Sequence, residues 1–201
     1  MQAQAKDMQD TGPRGEGSPR EQPASAADRR MFDNICGDFG LSIRRDGTWF
    51  YRGSPIGRKP LVKLFASVLR RDDEGGYWLV TPAEKGRIEV EDVPFIAVEA
   101  SITGAGREQT VTFRTNLDEI VTLGREHPLR VENDPMTGAP APYVLIRDRL
   151  EARLARPVFY ELVEHGEERS EAGTRILGIW SGGEFFRLGA LDDISGPEAA
   201  A

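Results

Sequence analysis

The sequence predicts an α+β fold made of two tandem, similar β-rich half-domains, each with a packed helix. Three observations carry this. Short runs rich in β-branched and aromatic residues alternate with Gly-, Pro- and Asp-containing turns along most of the chain. One segment has clear helical periodicity. A residue pattern in the first half recurs in the second. The length, 201 residues, suits one domain or two small ones.

Residues 1–27 contain no aromatic residue and are rich in Gly, Pro, Ser, Gln and charge. Such a segment buries too little apolar surface to offset its chain entropy and is predicted to be disordered. It has no apolar run of the kind a secretory signal needs, and its acids are foreign to a transit peptide. A short helix is expected over Ala24–Cys36, capped by Ser25, with Met31, Phe32 and Ile35 as its apolar stripe and Gly37 ending it.

Next comes LSIRR-DG-TWFYRG, read as a hairpin with a two-residue type I′ turn at Asp46-Gly47. In that register Ile43 and Phe50 share one face, and Arg44, Trp49 and Tyr51 share the other. Residues 58–71 are the clearest helix. Leu61, Leu64, Phe65, Val68 and Leu69 form one stripe expected to be buried, with Pro60 in the first turn and Arg70 and Arg71 at the C-terminal end.

Strands are predicted at 77–81, 86–90, 94–100 and 110–115, with Gly104-Ala105-Gly106 joining the last two. Further strands are expected at 129–132 and 143–146. A helix is expected from Arg147 (RDRLEARLA), ended by Pro157. PVFYELVEH is read as a strand, followed by TRILGIW and EFFRL with Ser181-Gly182-Gly183 as their turn. The repeat aligns Arg58, Leu61 and Phe65 with Arg147, Leu150 and Leu154, and Tyr77-Trp78-Leu79-Val80 with Tyr160-Glu161-Leu162-Val163. Residues 28–104 and 105–191 are then two half-domains, with 192–201 a tail. A cleft between paired halves is the default ligand position.

Composition narrows the function. One cysteine, Cys36, excludes an intrachain disulfide and a cysteine-based zinc site. Two histidines leave little for a metal cluster, and no metal or other cofactor is expected. A net charge of −7 argues against a nucleic-acid binder, and no apolar run is long enough to span a membrane. A cytoplasmic protein is the expectation. Neither a nucleophile-elbow G-x-S-x-G nor a Gly-rich phosphate loop is present; Ser181 is preceded by Ile179-Trp180 where the elbow needs Gly at the first position. His127, His165 and Cys36 lack the spacing of catalytic or metal-binding groups, so no catalytic residue is assigned.

The distribution of positive charge is more informative. Between Arg44 and Arg87 stand ten basic and five acidic residues. Arg58 and Lys59 open the main helix, where the dipole disfavours cations, and the repeat places Arg147 alike. Free amides plus cations suit an anion, although pairing with nearby acids accounts for the same arginines equally well. Thr81, Glu84 and Lys85 lie in TPAEK, where hydroxyl and ammonium suit a phosphate. Arg114 suits bidentate binding and Asn116 is either a ligand contact or a cap. Trp49 and Tyr51, beside Arg44, form a candidate stacking face.

The runs DGTWFYRGSPIGRKPLVKLFASVLR, GYWLVTPAEK and VEDVPF, with the later F-x-TN and PYV-x-I-R segments, resemble the bacterial family catalogued as domain of unknown function 1285, over roughly residues 35–190. The resemblance implies a duplicated β-rich core whose second half is loosely pleckstrin-homology-like. It implies no assigned activity; a nucleotide-like ligand between the halves and a signalling role are the suggestions attached to it.

The leading expectation is therefore a non-enzymatic module that binds a small anionic, nucleotide-like molecule between its halves. Arg58, Lys85, Arg114 and Arg147 would contact the anion, Thr81, Glu84 and Asn116 would add polar contacts, and Trp49 or Tyr51 would stack. A protein–protein interaction module and a phosphoester hydrolase are the alternatives.

Overall fold

The computed structural model describes residues 36–191. The expected N-terminal tail, nearly all of the Ala24–Cys36 helix and the tail 192–201 lie outside the described residues; Cys36 itself begins a strand.

Two six-stranded sheets share one topology. In the first, β1 (Cys36–Ile43), β2 (Trp49–Tyr51) and β3 (Ser54–Pro55) form one meander, and β4 (Leu69–Arg71), β5 (Tyr77–Val80) and β6 (Lys85–Val90) form another. The meanders join through parallel β1 and β6, giving the order β3-β2-β1-β6-β5-β4. In the second sheet, β7 (Phe95–Thr103), β8 (Thr110–Thr115) and β9 (Ile120–Thr122) are followed by β10 (Leu129–Asn133), β11 (Pro140–Arg147) and β12 (Leu150–Leu154). Parallel β7 and β12 join them in the order β10-β11-β12-β7-β8-β9, the same path strand for strand. The fold is thus α+β with two tandem β-rich halves. The strand Phe95–Thr103, grouped above with the first half, pairs within the second sheet.

The helices occupy different places in the two repeats. Helix α1 (Lys59–Ser67) links the two meanders of the first sheet, whereas α2 (Arg156–Glu164) follows the last strand of the second. The sequence repeat therefore aligned unlike elements. The expected helix at Arg147 is a hairpin: Asp148 and Arg149 both have positive φ (44° and 65°) and form the tight turn between β11 and β12. Leu150, Ala152 and Leu154 then alternate into the core. A spacing of i, i+4 satisfies both strand and helix periods, which is why the segment misled. The expected strand PVFYELVEH is α2, and Pro157 sits in its first turn, where a missing N–H is harmless.

Other corrections are local. The predicted helix 58–71 stops at Ser67, and Leu69–Arg71 is strand β4. The first hairpin is one residue out of the expected register: Ile43 faces Trp49 and Ser42 faces Phe50. Its loop closes with Gly47 N–H donating to Arg44 O (2.9 Å) and Arg44 N–H to Thr48 O (2.9 Å), and of Asp46 and Gly47 only Gly47 has positive φ. This is a type I turn with a glycine bulge rather than type I′. Trp49 and Ile43 consequently share the core face.

A third sheet, β13 (Glu167–Glu171), β14 (Thr174–Ser181) and β15 (Glu184–Ala190), packs on the second. Ser181 Oγ donates to Leu123 O (2.7 Å) and accepts from Val111 N–H (3.0 Å), so the tip of this sheet is pinned by a fully buried hydroxyl. One continuous core runs through the molecule, from Ile43, Trp49 and Leu69 through Phe95, Phe113 and Leu150 to Leu162, Ile179 and Leu188.

Candidate functional site

Two of the four cations selected from sequence, Arg114 and Arg147, are committed to protein partners at the seam between the first two sheets. Arg147 donates from Nε to Glu119 (3.1 Å) and from Nη2 to Ala66 O (2.7 Å), holding the C-terminal end of α1. Arg114 donates to Glu99 from Nε (2.8 Å) and to Asp118 from Nη1 (3.4 Å), and the Glu99 bond raises its pKa further. Asn116 accepts from Ile96 N–H at Oδ1 (3.1 Å) and donates from Nδ2 to Gly47 O (3.4 Å), tying the first hairpin to β7. Asp118 takes Lys59 (2.7 Å) and Lys63 (2.8 Å) from α1; bonds from these two ammonium groups, Lys59 first, hold its carboxyl at about 2. A seam cavity of about 470 Å³ is lined by Lys63, Arg70 and Arg147 against Asp118, Glu119 and Asp148, so its charge is balanced.

Sequence reasoning missed a buried network beside this seam. Asp134, 3% exposed, accepts from Arg153 (2.9 Å) and Arg45 (3.0 Å), and Arg153 also reaches Asp92 (2.8 Å), which accepts from Tyr143 Oη (3.0 Å). The Arg153 bond and the Met136 N–H hold Asp134 at about 2, while burial and the Asp92 charge push Tyr143 up to about 12. The network joins the first hairpin, β10 and β12, and its members satisfy one another. It is a lock rather than a binding group.

The remaining selected residues part company. Trp49 is 1% exposed, stacked on Phe65 with ring centroids 6.3 Å apart, and its Nε1 has no partner among the described residues, so of the expected stacking pair only Tyr51 is accessible. Lys85 Nζ lies 4.4 Å above the Trp78 ring. Arg58 is the N-cap of α1, exposed, makes no capping bond and has no side-chain partner among the described residues.

Tyr51, Thr81 and Glu84 do come together, at the rim of a basin of about 640 Å³ on the first half. One wall is α1. The stripe expected to be buried is only partly so: Leu69 is in the core and Phe65 and Val68 pack against it, while its N-terminal part is turned outward. Val62 and Ala66 face inward, while Leu61 (37% exposed) and Leu64 (62%) do not, and Leu61, Phe65 and Val68 line the basin. Phe39 and Leu41 of β1 and Leu79 of β5 form its floor. Phe39 is seated on Gly86, where any Cβ would come within 2.2 Å of its ring. The Thr81–Glu84 turn is self-bonded: Thr81 N–H donates to Glu84 O (2.9 Å) and Glu84 N–H to Thr81 Oγ1 (3.0 Å). Beside Tyr51 on the rim, the Arg52 guanidinium lies 5.2 Å from the Tyr51 ring centroid. Asp38 at the rim caps Gly40 N–H (2.7 Å). The size and the apolar walls with few polar groups are those of a small-molecule site. Among the described residues no group of three or more His, Cys, Asp or Glu could hold a metal, and no helix is long and apolar enough to cross a membrane.

The family model described as Domain of unknown function (DUF1285), N-terminal domain, matches residues 32–93, and that for the C-terminal domain matches residues 94–188. The two models divide where the first sheet gives way to the second. Among solved structures, a DUF1285 family protein from Silicibacter pomeroyi is 41% identical, with a TM-score of 0.74 over 88% of this chain and 92% of that one. A DUF1285 family protein from Shewanella baltica is 25% identical, with a TM-score of 0.51 over 63% of this chain and 91% of that one. No curated protein is significantly similar.

Proposed function

The chain belongs to the DUF1285 family, and we propose that it is a non-enzymatic binding module whose ligand is a small anionic amphiphile seated in the basin of the first half. The observation that carries this reading is the outward turn at the head of the α1 stripe. Leu61 is apolar, spaced for burial, and faces an open hollow instead of the core, and Phe65, stacked on buried Trp49, borders the same hollow. A ligand with an apolar or aromatic body covers them and packs against Tyr51. Its anionic end meets Arg52 at the rim and Arg58, which stands three residues before Leu61 at the head of the same stripe; neither guanidinium has an acidic partner among the described residues. The seam suits an anion less well, because a ligand there has to displace Asp118 or Glu119 from cations they already neutralise.

A thermal-shift screen of nucleotides, fatty acids and aromatic carboxylates tests the proposal. A ligand at about 100 times its Kd adds roughly 2.7 kcal/mol to stability, about 5–10 °C in Tm for a chain of this size. The shift is expected to vanish in Leu61→Glu and shrink in Arg52→Ala. A shift that survives Leu61→Glu but is lost in Arg70→Ala moves the site to the seam. No shift with any compound class removes the proposal.

A further inference from the structure

The chain enters the fold at the rim of the basin. Cys36 opens β1 opposite Lys85, the residue after Glu84, so residues that precede β1 arrive beside the Thr81–Glu84 turn. Asp38 and Phe39, two and three positions further on, already line the basin.

Residues 1–35 contain five large apolar side chains, and three of them, Met31, Phe32 and Ile35, stand in the last five positions before β1. They form the stripe expected from sequence and lie outside the described residues. The match to the N-terminal family domain begins at Phe32, inside this group and ahead of the first strand. Opposite the point of entry, the wall of the basin is the outward-turned head of another stripe, with Leu61 exposed and Phe65 beside it.

Reach and charge agree. The four residues from Phe32 to Cys36 span up to about 14 Å, and Phe39 is about 10 Å along β1 from Cys36. Asp33 follows Phe32, and the cations at the basin, Arg52 and Arg58, have no acidic partner among the described residues. An aromatic ring next to a carboxylate is also the chemistry proposed for the ligand. Tethering at the rim gives the segment a local concentration in the millimolar range, an advantage that no free competitor has.

We propose that residues 31–35 dock in the basin as an internal stand-in for its ligand. Phe32 and Ile35 pack against Leu61, Phe65 and Phe39, and Asp33 turns toward Arg52. The basin admits a ligand only when the segment leaves, and a segment docked nine-tenths of the time lowers the apparent affinity about 10-fold. This regulation rests on the ligand proposed above, whereas the seat of the segment does not depend on it.

Disulfide trapping on the full-length chain tests the seat. In a Cys36→Ser background, Phe32→Cys/Leu61→Cys should cross-link under mild oxidation much faster than Phe32→Cys/Tyr160→Cys, since Tyr160 is at least as exposed as Leu61 but lies on α2 of the second half. Equal rates overturn the proposal. Anilinonaphthalene sulfonate, an aromatic anion, probes the regulation by fluorescence titration. Met31→Ser/Phe32→Ser/Ile35→Ser should bind it about 10-fold more tightly than the parent. Asp33→Lys should also tighten it, and both gains should be lost when Leu61→Glu is added. Asp33→Lys and the trapping rates keep the test decisive if the serine variant folds poorly. Parent and variants binding the dye with one shared, Leu61-dependent affinity overturn the proposal, because the basin is then already open. Fast cross-linking with no dye bound by any form upholds the seat and removes the ligand reading alone.

Discussion

At the scale of single residues, the positions that matter were visible as types and misleading as roles. Asn116 and Arg147 look like ligand contacts because their chemistry suits one, yet each spends its polar atoms on the protein's own backbone across the seam. No sequence spacing announces this, since the partners lie 20, 69 and 81 residues away. Trp49 was assigned to a stacking face by a hairpin register wrong by one residue, and a shift of one moves every side chain to the opposite face. Gly47 sits where these threads meet. Its φ is +80°, and a Cβ there would come within 2.7 Å of Asn116 Nδ2 and 2.8 Å of Ile96 Cγ1. Gly47→Ala is expected to cost about 2–4 kcal/mol, from left-handed strain plus a forced separation of the hairpin from β7. Gly53 is the control: it has the same φ with nothing within 4 Å of its Cβ, so Gly53→Ala should show the strain alone. Denaturant melts of both variants measure the difference, and equal losses would remove the seam contact from the argument.

At the scale of elements, the β1–β2 hairpin, β5 and β6 were legible as strands because alternation and turn residues agree there, whereas Leu69–Arg71 was read as the end of the helix and Ser54–Pro55 was not predicted. The segment 147–164 was not legible, because Leu150/Leu154 fits two periods and the Asp148-Arg149 turn contains no glycine. Helix α1 was found from its stripe, but periodicity identifies an apolar face without saying what covers it. That ambiguity hid the basin: Arg52, Phe39 and Ile56 were not selected, and the only signal of the site was a stripe that looked like core. The N-terminus of α1 shows the same tension. Arg58 occupies the cap, no side chain bonds the free amides, and no acid stands in the first turn. Arg58→Asp is expected to stabilise the protein by about 0.5–2 kcal/mol, since aspartate caps and complements the dipole. The same change should weaken the basin ligand, because it reverses the charge at the head of the stripe. A higher Tm with undiminished ligand-induced shift would show that Arg58 takes no part in binding.

At the scale of the whole molecule, the duplication was legible while its alignment was not, because the helices moved between repeats and the strand path stayed. What unites the repeats is a shared core plus two carboxylates that straddle the seam. Asp118 holds Lys59 and Lys63 of the first half; Asp134 takes Arg45 from the first half and Arg153 from the second. Both are held at about 2 against an ordinary value of 3.8. A depressed carboxyl pKa favours the folded state above the unfolded value, and that contribution disappears as pH falls through the folded value. Stability should therefore decline from about pH 5 downward and be largely stripped of these contributions by pH 2. Because the core is continuous across the sheets, the loss should come as one cooperative transition at progressively lower Tm rather than as separate melting of the halves. The double variant Asp118→Asn/Asp134→Asn should melt well below the parent at pH 7, and the gap should narrow steeply as pH falls toward 2, where about half of the parent's native carboxyls are already protonated. Calorimetry across that range measures the gap. A gap that stays constant to pH 2 would mean that the substitutions act through packing and that the seam is not held by charge.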